Sequence, residues 1–456
     1  MPAPLPTPLE AARLLSQRQL HAQALPAYRA LARQGVEVTA ELAGTLMAMG
    51  DTTGALQVLD DALASSPEQA RTWLLRALVH LQRGAWYPAL ADLDRCLALA
   101  PELLPARQKR AALHLQLDQL DEAREDFKAI TALQPGDAMA HANIGIIHLR
   151  NQQFAAALEH LLHARKLAPS HPQIQHSLAN ALAGCGRLTE ALSLFVRLEQ
   201  QYPGRHGILA DHALALLAAG QTHAARQRYR QVLQQAPADA WSLMGSYLCE
   251  QLAASAGSDT CLMDYASQLH QPIEPVAAAQ CRQWLALALS HPQLRSDPLG
   301  KSTLGGQQSR LLDLEPGSPF HAVRTVLEDA TTRYAAHIAR AAQPHSWHRG
   351  LPARRRLQAW ITVLPGNGGH QRPHIHPAGW ASGVLYLDAG NDAGPGGQLV
   401  FGHAPDHLDL RIPAHEHRYQ PEDGQLVMFP SYFLHHTTPY NGQRPRVCIA
   451  FDVVPA

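Results

Sequence analysis

No stretch of this sequence is long and apolar enough to cross a membrane. Neither charge is in excess. Lys plus Arg and Asp plus Glu number 38 each, so the formal net charge is zero with histidine neutral. That balance removes the basic footprint that a nucleic-acid binder needs, and the expected partners include neither nucleic acid nor membrane. Cysteine is scarce as well. Cys96, Cys185, Cys249, Cys261, Cys281 and Cys448 show no metal-ligand spacing, which leads us to expect buried free thiols in a reducing compartment. The start, Met1-Pro-Ala-Pro-Leu-Pro-Thr-Pro-Leu-Glu10, has no basic segment followed by an apolar one, so no secretory signal is expected and the expected location is cytoplasmic. At 456 residues the chain is too long for one core and suits two or three domains.

What the chain does have is repetition. Prolines stand at 67, 101, 135, 169, 203 and 237, a spacing of 34 residues five times over. Alanines at 55, 89, 123, 157, 191 and 225 keep that period, as do Ala43, Ala77, Ala111, Gly145, Ala179 and Ala213. A third series, Gly50, Gly84, Gly186 and Gly220, is interrupted by Asp118 and Gln152. Helix axes approach closely only where no side chain intervenes, so small residues at this period mark helix pairs, and each proline ends the second helix. The pattern resembles the tetratricopeptide repeat. We expect six repeats over residues 36–239 and a degenerate helical cap over residues 1–35.

Such arrays commonly bind extended peptides on a concave face. By repeat register, Gln108, Gln116, Arg150, His176 and Asn180 are candidates for that face. The positions that carry lysine in chaperone-tail-binding repeats are here Ala40, Leu74, Gln108, Ala142, His176 and Ala210, so a clamp for an acidic chain terminus is not expected.

The second half carries the chemistry. Residues two apart on a strand share a face, so His374 and His376 can hold one metal ion together. A third imidazole, His435, follows some sixty residues on, and Arg446 comes shortly after it. Imidazole ligation with open positions suits a redox-active iron that also takes up a cosubstrate and O2. An arginine can grip a carboxylate through two parallel hydrogen bonds. Histidine is common here, with 11 of the 27 lying between His345 and His436, so an isolated HxH pair is close to chance. Context separates the two such pairs. The first precedes strand-like runs at 382–387, 398–402, 425–429 and 445–454, punctuated by Gly and Pro, which indicate a double-sheet barrel of the jelly-roll type. The second, His415-Glu-His417, lies between Pro413 and the turn Pro421-Glu-Asp-Gly424, and is expected in a solvated loop.

The run His374-Ile-His-Pro-Ala-Gly-Trp-Ala-Ser-Gly-Val-Leu-Tyr-Leu387, with Gly397-Gln-Leu-Val-Phe-Gly402 and Phe429-Pro-Ser-Tyr-Phe-Leu-His435, resembles the bacterial 2OG-Fe(II) oxygenases. Asp297-Pro-Leu-Gly-Lys-Ser-Thr-Leu-Gly-Gly-Gln-Gln-Ser309 is similar to the opening of those domains. The resemblance covers roughly residues 290–455. It implies a double-stranded β-helix with flanking helices and a dioxygenase that uses Fe(II), 2-oxoglutarate and O2. Iron would be held by His374, His376 and His435, and the distal carboxylate of 2-oxoglutarate by Arg446, with Ser382 and Tyr386 as further cofactor-binding residues. Hydroxylation coupled to formation of succinate and CO2 is the reaction so implied.

One departure matters. Most 2-oxoglutarate oxygenases place Asp or Glu two residues after the first histidine, and here that position is His376. The site is then one charge more positive, and the residues alone also admit His370 or His436 as a ligand, or Asp388 as a carboxylate from the next strand. Trp380, Tyr386 and Tyr432 are candidates to line the pocket, although aromatics beside strands pack into cores more often. Three readings follow: an oxygenase acting on a protein or peptide bound by the repeats, a peptide-binding scaffold without turnover, or a three-histidine cupin-like dioxygenase that does not use 2-oxoglutarate.

Between the halves, residues 240–294 read as a helical connector, helical over 241–254 and 276–289 with a break at Gly257-Ser-Asp259. Residues 296–306 read as a loop, 321–342 as a helix packed outside the barrel and 357–364 as the first core strand, with the barrel domain spanning 295–456. Gly366-Asn-Gly-Gly369 then turns the chain into the histidine pair.

Overall fold

The computed structural model describes residues 6–253, 261–270, 275–340, 346–390, 396–405, 408, 410 and 415–456. The chain divides into two compact units, Met1–Ile144 and Gly145–Ala456.

The period of 34 is realised as helix pairs. Thr39–Ala48 with Thr52–Ser65 is followed by Ala70–Gln82 with Trp86–Leu99 and by four further pairs, ending in His206–Ala218 with Thr222–Gln235. Two helices precede them, Pro8–Gln17 and His21–Arg33. The first is closed by a capping box in which Thr7 and Glu10 satisfy each other's backbone donors. The alanines of both small-residue series are fully buried. A Cβ added at Gly145 would lie 2.7 Å from Leu161, so the helices meet too closely there for any side chain.

The interrupted glycine series has one physical cause. Residues 50, 84, 118, 152, 186 and 220 all adopt a positive φ, between 58° and 81°, where each first helix turns into its partner. Glycine reaches that conformation without penalty, whereas Asp118 and Gln152 do so at a cost of about 1–2 kcal/mol each. In the first unit, the polar faces carry a repeated ion-pair pattern. Arg76 bridges Asp92 and Asp60, and one period later Arg110 bridges Asp126 and Asp94.

In the second unit a further helix, Ala240–Ala253, packs on Thr222–Gln235 through Gly245, where an added Cβ would sit 2.1 Å from the ring of fully buried Tyr229. Gly245→Val is therefore expected to destabilise this unit by about 1–3 kcal/mol, the usual penalty for overpacking, read as a lower thermal midpoint. An unchanged midpoint would show that Tyr229 can be displaced freely. The connector continues with helices Tyr265–Gln268 and Ala278–Leu289, and the helix His321–Ala339 follows. Each starts within two residues of the expected position where one was expected. The break expected at Gly257–Asp259 lies outside the described residues.

Eleven strands are found among the described residues: β1 (Arg295–Ser296), β2 (Thr303–Leu304), β3 (Gln307–Gln308), β4 (Arg355–Leu364), β5 (His370–Gln371), β6 (Ala381–Asp388), β7 (Leu399–Phe401), β8 (His417–Tyr419), β9 (Leu426–Pro430), β10 (His435–Thr437) and β11 (Arg446–Pro455). One sheet has the order β1-β3-β4-β11-β6-β9, a second β10-β7-β8, and β2 pairs with β5. All strand pairings are antiparallel. The two larger sheets give the expected jelly roll, with β11 at the centre of the major sheet between β4 and β6. Two expectations need correction. Residues 296–306, read as a loop, contribute to β1 and β2, because Asp297 accepts hydrogen bonds from the amides of Gly305 and Gly306 and folds the segment into a hairpin. His417 is not in a loop but opens β8, paired with Phe401.

One apolar core joins Leu216, Tyr229, Tyr247 and Trp284 with barrel residues such as Leu385 and Phe451. Within it, Trp347 and Trp380 stack at 4.7 Å, and Tyr334 and Tyr432 pack against Trp347. The Tyr432 hydroxyl donates to the carbonyl of Leu262 at 2.5 Å and the Tyr334 hydroxyl to that of Gln268 at 3.0 Å, pinning the connector to the barrel. Cys96, Cys185, Cys249, Cys281 and Cys448 are free; Cys96, Cys249 and Cys281 are buried, while Cys185 and Cys448 are only half-buried, short of the expected full burial.

Candidate metal centre

The backbone brings the histidines together before any side chain is considered. His374 and His435 form an isolated antiparallel bridge, each amide donating to the other's carbonyl at 3.0 and 3.1 Å. The amide of His376 donates to the carbonyl of Ser431 at 2.9 Å. The segment carrying the HxH pair is thus zipped against the segment leading into β10, which brings all three imidazoles together.

The ligand-capable atoms of His374, His376 and His435 lie within 4.8 Å of one another, the one such cluster among the described residues. Each ring has its Nδ1 engaged. That of His374 donates to the carbonyl of Arg372 at 2.7 Å, that of His435 to the carbonyl of Phe433 at 2.8 Å, and that of His376 to the carboxylate of Asp452 at 2.8 Å. A carbonyl can only accept, so the hydrogen sits on Nδ1 and leaves the Nε2 lone pair for the centre. The Nε2 atoms of His374 and His376 are 3.2 Å apart. Burial disfavours the charged imidazolium. It lowers the pKa of His374 to about 3, with repulsion from His376 adding, and holds His435 well below the usual histidine range. Three imidazoles with converging lone pairs, His435 buried and His374 and His376 half-buried, fit a divalent cation, and the donor set is one that iron accepts.

Beside them, Arg446 is only 3% exposed. It enters from β11, donates from Nη1 to the carbonyl of Gly397, and lies with its guanidinium 5.1 Å from the centre of the Tyr386 ring. Its Nε is buried without a hydrogen-bond partner, and it has no acidic partner among the described residues. A buried guanidinium in that condition calls for an anion. Arg446, Tyr386, Ser382 and the three histidines line one pocket. Burial raises the Tyr386 phenol well above its usual value, although Arg446 opposes this, so Tyr386 is a neutral wall of that pocket.

The remaining candidates fall elsewhere. His370 uses Nδ1 on the carbonyl of Gly368, and the His436 ring rests against His403 at 5.3 Å. Asp388 accepts from Arg444 and from the amide of Gly390. None of the three joins the cluster. His415 and His417 stack on Tyr265 at 5.3 and 5.2 Å. Trp380 and Tyr432 belong to the aromatic core and not to the pocket lining. Ser382 lines the pocket, yet its hydroxyl donates to Asp452 at 2.6 Å.

Three participants escaped the sequence reading. Ser302 places Oγ 3.2 Å from Nε2 of His374, and Trp360 stacks on His376 at 5.5 Å. Asp452 is the third. Alternation along β11 was the available signal, since Arg446, Cys448 and Ala450 line the pocket and Asp452 is next in phase. The resemblance over Asp297–Ser309 marked the segment around Ser302, but nothing within it singled out Ser302 itself.

Helix-pair repeats followed by a jelly roll that gathers three imidazoles and a buried arginine define a two-part protein, a repeat array followed by a barrel with a candidate metal site. Residues 358–452 match the family described as "Putative 2OG-Fe(II) oxygenase", and residues 41–103, 109–172 and 144–206 match the tetratricopeptide repeat. The chain thus carries tetratricopeptide repeats and, over residues 358–452, a region that matches the family described as putative 2OG-Fe(II) oxygenases. Among solved structures it is similar to a tetratricopeptide repeat protein from Parabacteroides merdae, at 16% identity and a TM-score of 0.42 over 47% of this chain and 85% of that one. It is also similar to a Pseudomonas putida prolyl-4-hydroxylase, at 20% identity and a TM-score of 0.32 over 42% of this chain and 96% of that one. Likenesses this partial carry no functional weight. None of the curated proteins compared with the chain matches it. No described helix is long and apolar enough to cross a membrane.

Proposed function

We propose that this chain is an Fe(II)- and 2-oxoglutarate-dependent dioxygenase of the cytoplasm that hydroxylates a protein or peptide presented by its repeats. In this reading residues 295–456 are the catalytic domain, 240–294 the connector, and 36–239 the six repeats behind a cap over 1–35. The observation that carries it is a buried guanidinium with an unfilled donor, sharing a pocket with three converging imidazole lone pairs. One feature answers to a dianionic cosubstrate and the other to a metal, and the family match joins the two.

His374, His376 and His435 would hold the iron, which when bound supplies the oxidative chemistry that protein side chains lack. The chain's own contribution is orientation. Arg446 fixes the distal carboxylate of 2-oxoglutarate, so that the other end faces the histidines. Tyr386 backs the guanidinium and keeps water from it, and Trp360 and Phe429 give the pocket apolar walls. One atom of O2 goes to succinate, formed with CO2 from 2-oxoglutarate, and the other to the hydroxylated product. An anion-binding arginine in the pocket favours this over a three-histidine dioxygenase without a keto-acid cosubstrate.

A peptide-sized partner is favoured by the repeat surface itself. Asp211 lies 2.8 Å from His176 and accepts from Asn180 at 2.7 Å, and both of those residues are candidates for the recognition face by repeat register. Linking such a surface to a catalytic pocket raises the local concentration of a tethered residue.

Purified protein loaded with Fe(II) is expected to convert 2-oxoglutarate to succinate slowly without any prime substrate. Under anaerobic conditions iron and 2-oxoglutarate together should give a weak visible charge-transfer band. If folded, iron-loaded protein gives neither band nor succinate, the proposal is wrong and a non-catalytic scaffold takes its place.

A further inference from the structure

The histidine that stands where related enzymes carry a carboxylate is not alone. Its Nδ1 faces both carboxylate oxygens of Asp452, at 2.8 and 3.0 Å. Asp452 is 7% exposed, and Oδ1 accepts a second hydrogen bond, from the Ser382 hydroxyl at 2.6 Å. No cation faces it among the described residues, so its two recorded side-chain partners are His376 and Ser382. The other two imidazoles donate to neutral backbone carbonyls instead. The three rings are therefore not equivalent, and the one bonded to a carboxylate is His376.

We infer that Asp452, oriented by Ser382, is the positioning residue that makes His376 serve in place of a carboxylate ligand. The inference rests on the metal-site reading of the three histidines. A carboxylate accepting from Nδ1–H fixes the ring's tautomer and orientation, and it makes Nε2 a stronger donor. It also leaves one negative charge beside the centre, moved outward from the coordinating position by the width of an imidazole. The charge that His376 removes from the site is returned by Asp452, while Ser382 stops the carboxylate from rotating away. The backbone sets this up: His376 is bonded to Ser431, and residues 381–388 and 446–455 pair so that Ser382 and Asp452 stand directly opposite.

Co(II) binding to the apoprotein tests this without turnover. Asp452→Asn keeps the shape and an acceptor but removes the charge, and is expected to raise the Kd for Co(II) about 10–100-fold and to alter the visible bands of the bound ion. Ser382→Ala is expected to weaken binding less. The decisive comparison repeats Asp452→Asn in a His376→Asp background, where a carboxylate already occupies the ligand position. There Asp452 is a like charge against a ligand, so its neutralisation should leave Co(II) binding unchanged or tighten it. A merely structural role would weaken binding in both backgrounds, and that result would overturn the inference. So would an unchanged Kd in the single variant. Failure of the unaltered protein to bind Co(II) would instead remove the metal-site reading and this inference with it.

Discussion

Arg446→Ala is expected to raise the 2-oxoglutarate concentration needed for half-maximal succinate formation by on the order of 100-fold or more, with metal binding unchanged. The guanidinium is buried, has an open Nε and lacks an acidic partner among the described residues, so a bound carboxylate would be its counter-charge. Removing one partner of a buried ion pair typically costs about 3–5 kcal/mol, because the remaining charge is left desolvated and unpaired. Arg446→Lys keeps the charge but loses the planar fork and the face-on contact with Tyr386, so it should recover only part of the loss. Titration of both variants with Co(II) separates cosubstrate from metal effects. A 2-oxoglutarate requirement unaltered in well-folded Arg446→Ala would remove this residue from the site and reopen the reading without a keto-acid cosubstrate.

The second large effect is expected at the histidines. His376→Ala should weaken Co(II) or Fe(II) binding by more than the about 10–100-fold that loss of an outer partner costs, since it removes a ligand outright. His415→Ala and His417→Ala should leave affinity unaltered, because their rings stack on Tyr265 and stand apart from the cluster. His370→Ala, His436→Ala and Asp388→Asn extend the comparison to every residue that the sequence alone allowed as a ligand. Equilibrium dialysis with the metal alone reads all six. Retention of metal by His376→Ala, with loss in Asp388→Asn, would overturn the assignment.

These comparisons also show what could be read from the chain and why. The repeats were legible because burial of Ala43, Ala77 and their equivalents imposes the same demand every 34 residues, and such a demand survives as a period. The left-handed turns were half legible. Four positions carry glycine, but Asp118 and Gln152 hold the same φ with a side chain, and no composition rule marks them. In the barrel, alternation and punctuation placed β4, β6, β9 and β11 to within two residues. Strand β7 was placed to within one residue as well, whereas β2, β5 and β8 were not resolved in that way, because two or three residues hold no period.

At the site, the identity of the histidines was visible as spacing, while their selection over His370, His436 and Asp388 depended on which strands face each other. Ser302 shows the limit most clearly. It reaches His374 across 72 positions of sequence through the β2–β5 pairing, and a contact of that kind leaves no local mark.

The apolar core shared by Tyr229, Tyr247, Trp284 and the barrel strands has a consequence for how this part of the molecule comes apart. A cut at residues 239–240 would pass through that core and leave Leu243, Met244 and Tyr247 facing water where they now pack on their neighbours. The last repeat and the barrel are therefore expected to share one unfolding transition, read as a single calorimetric peak. The shortest stretch expected to melt as a unit around the candidate metal centre begins inside the helical array, and trimming it to the strands alone should unfold it.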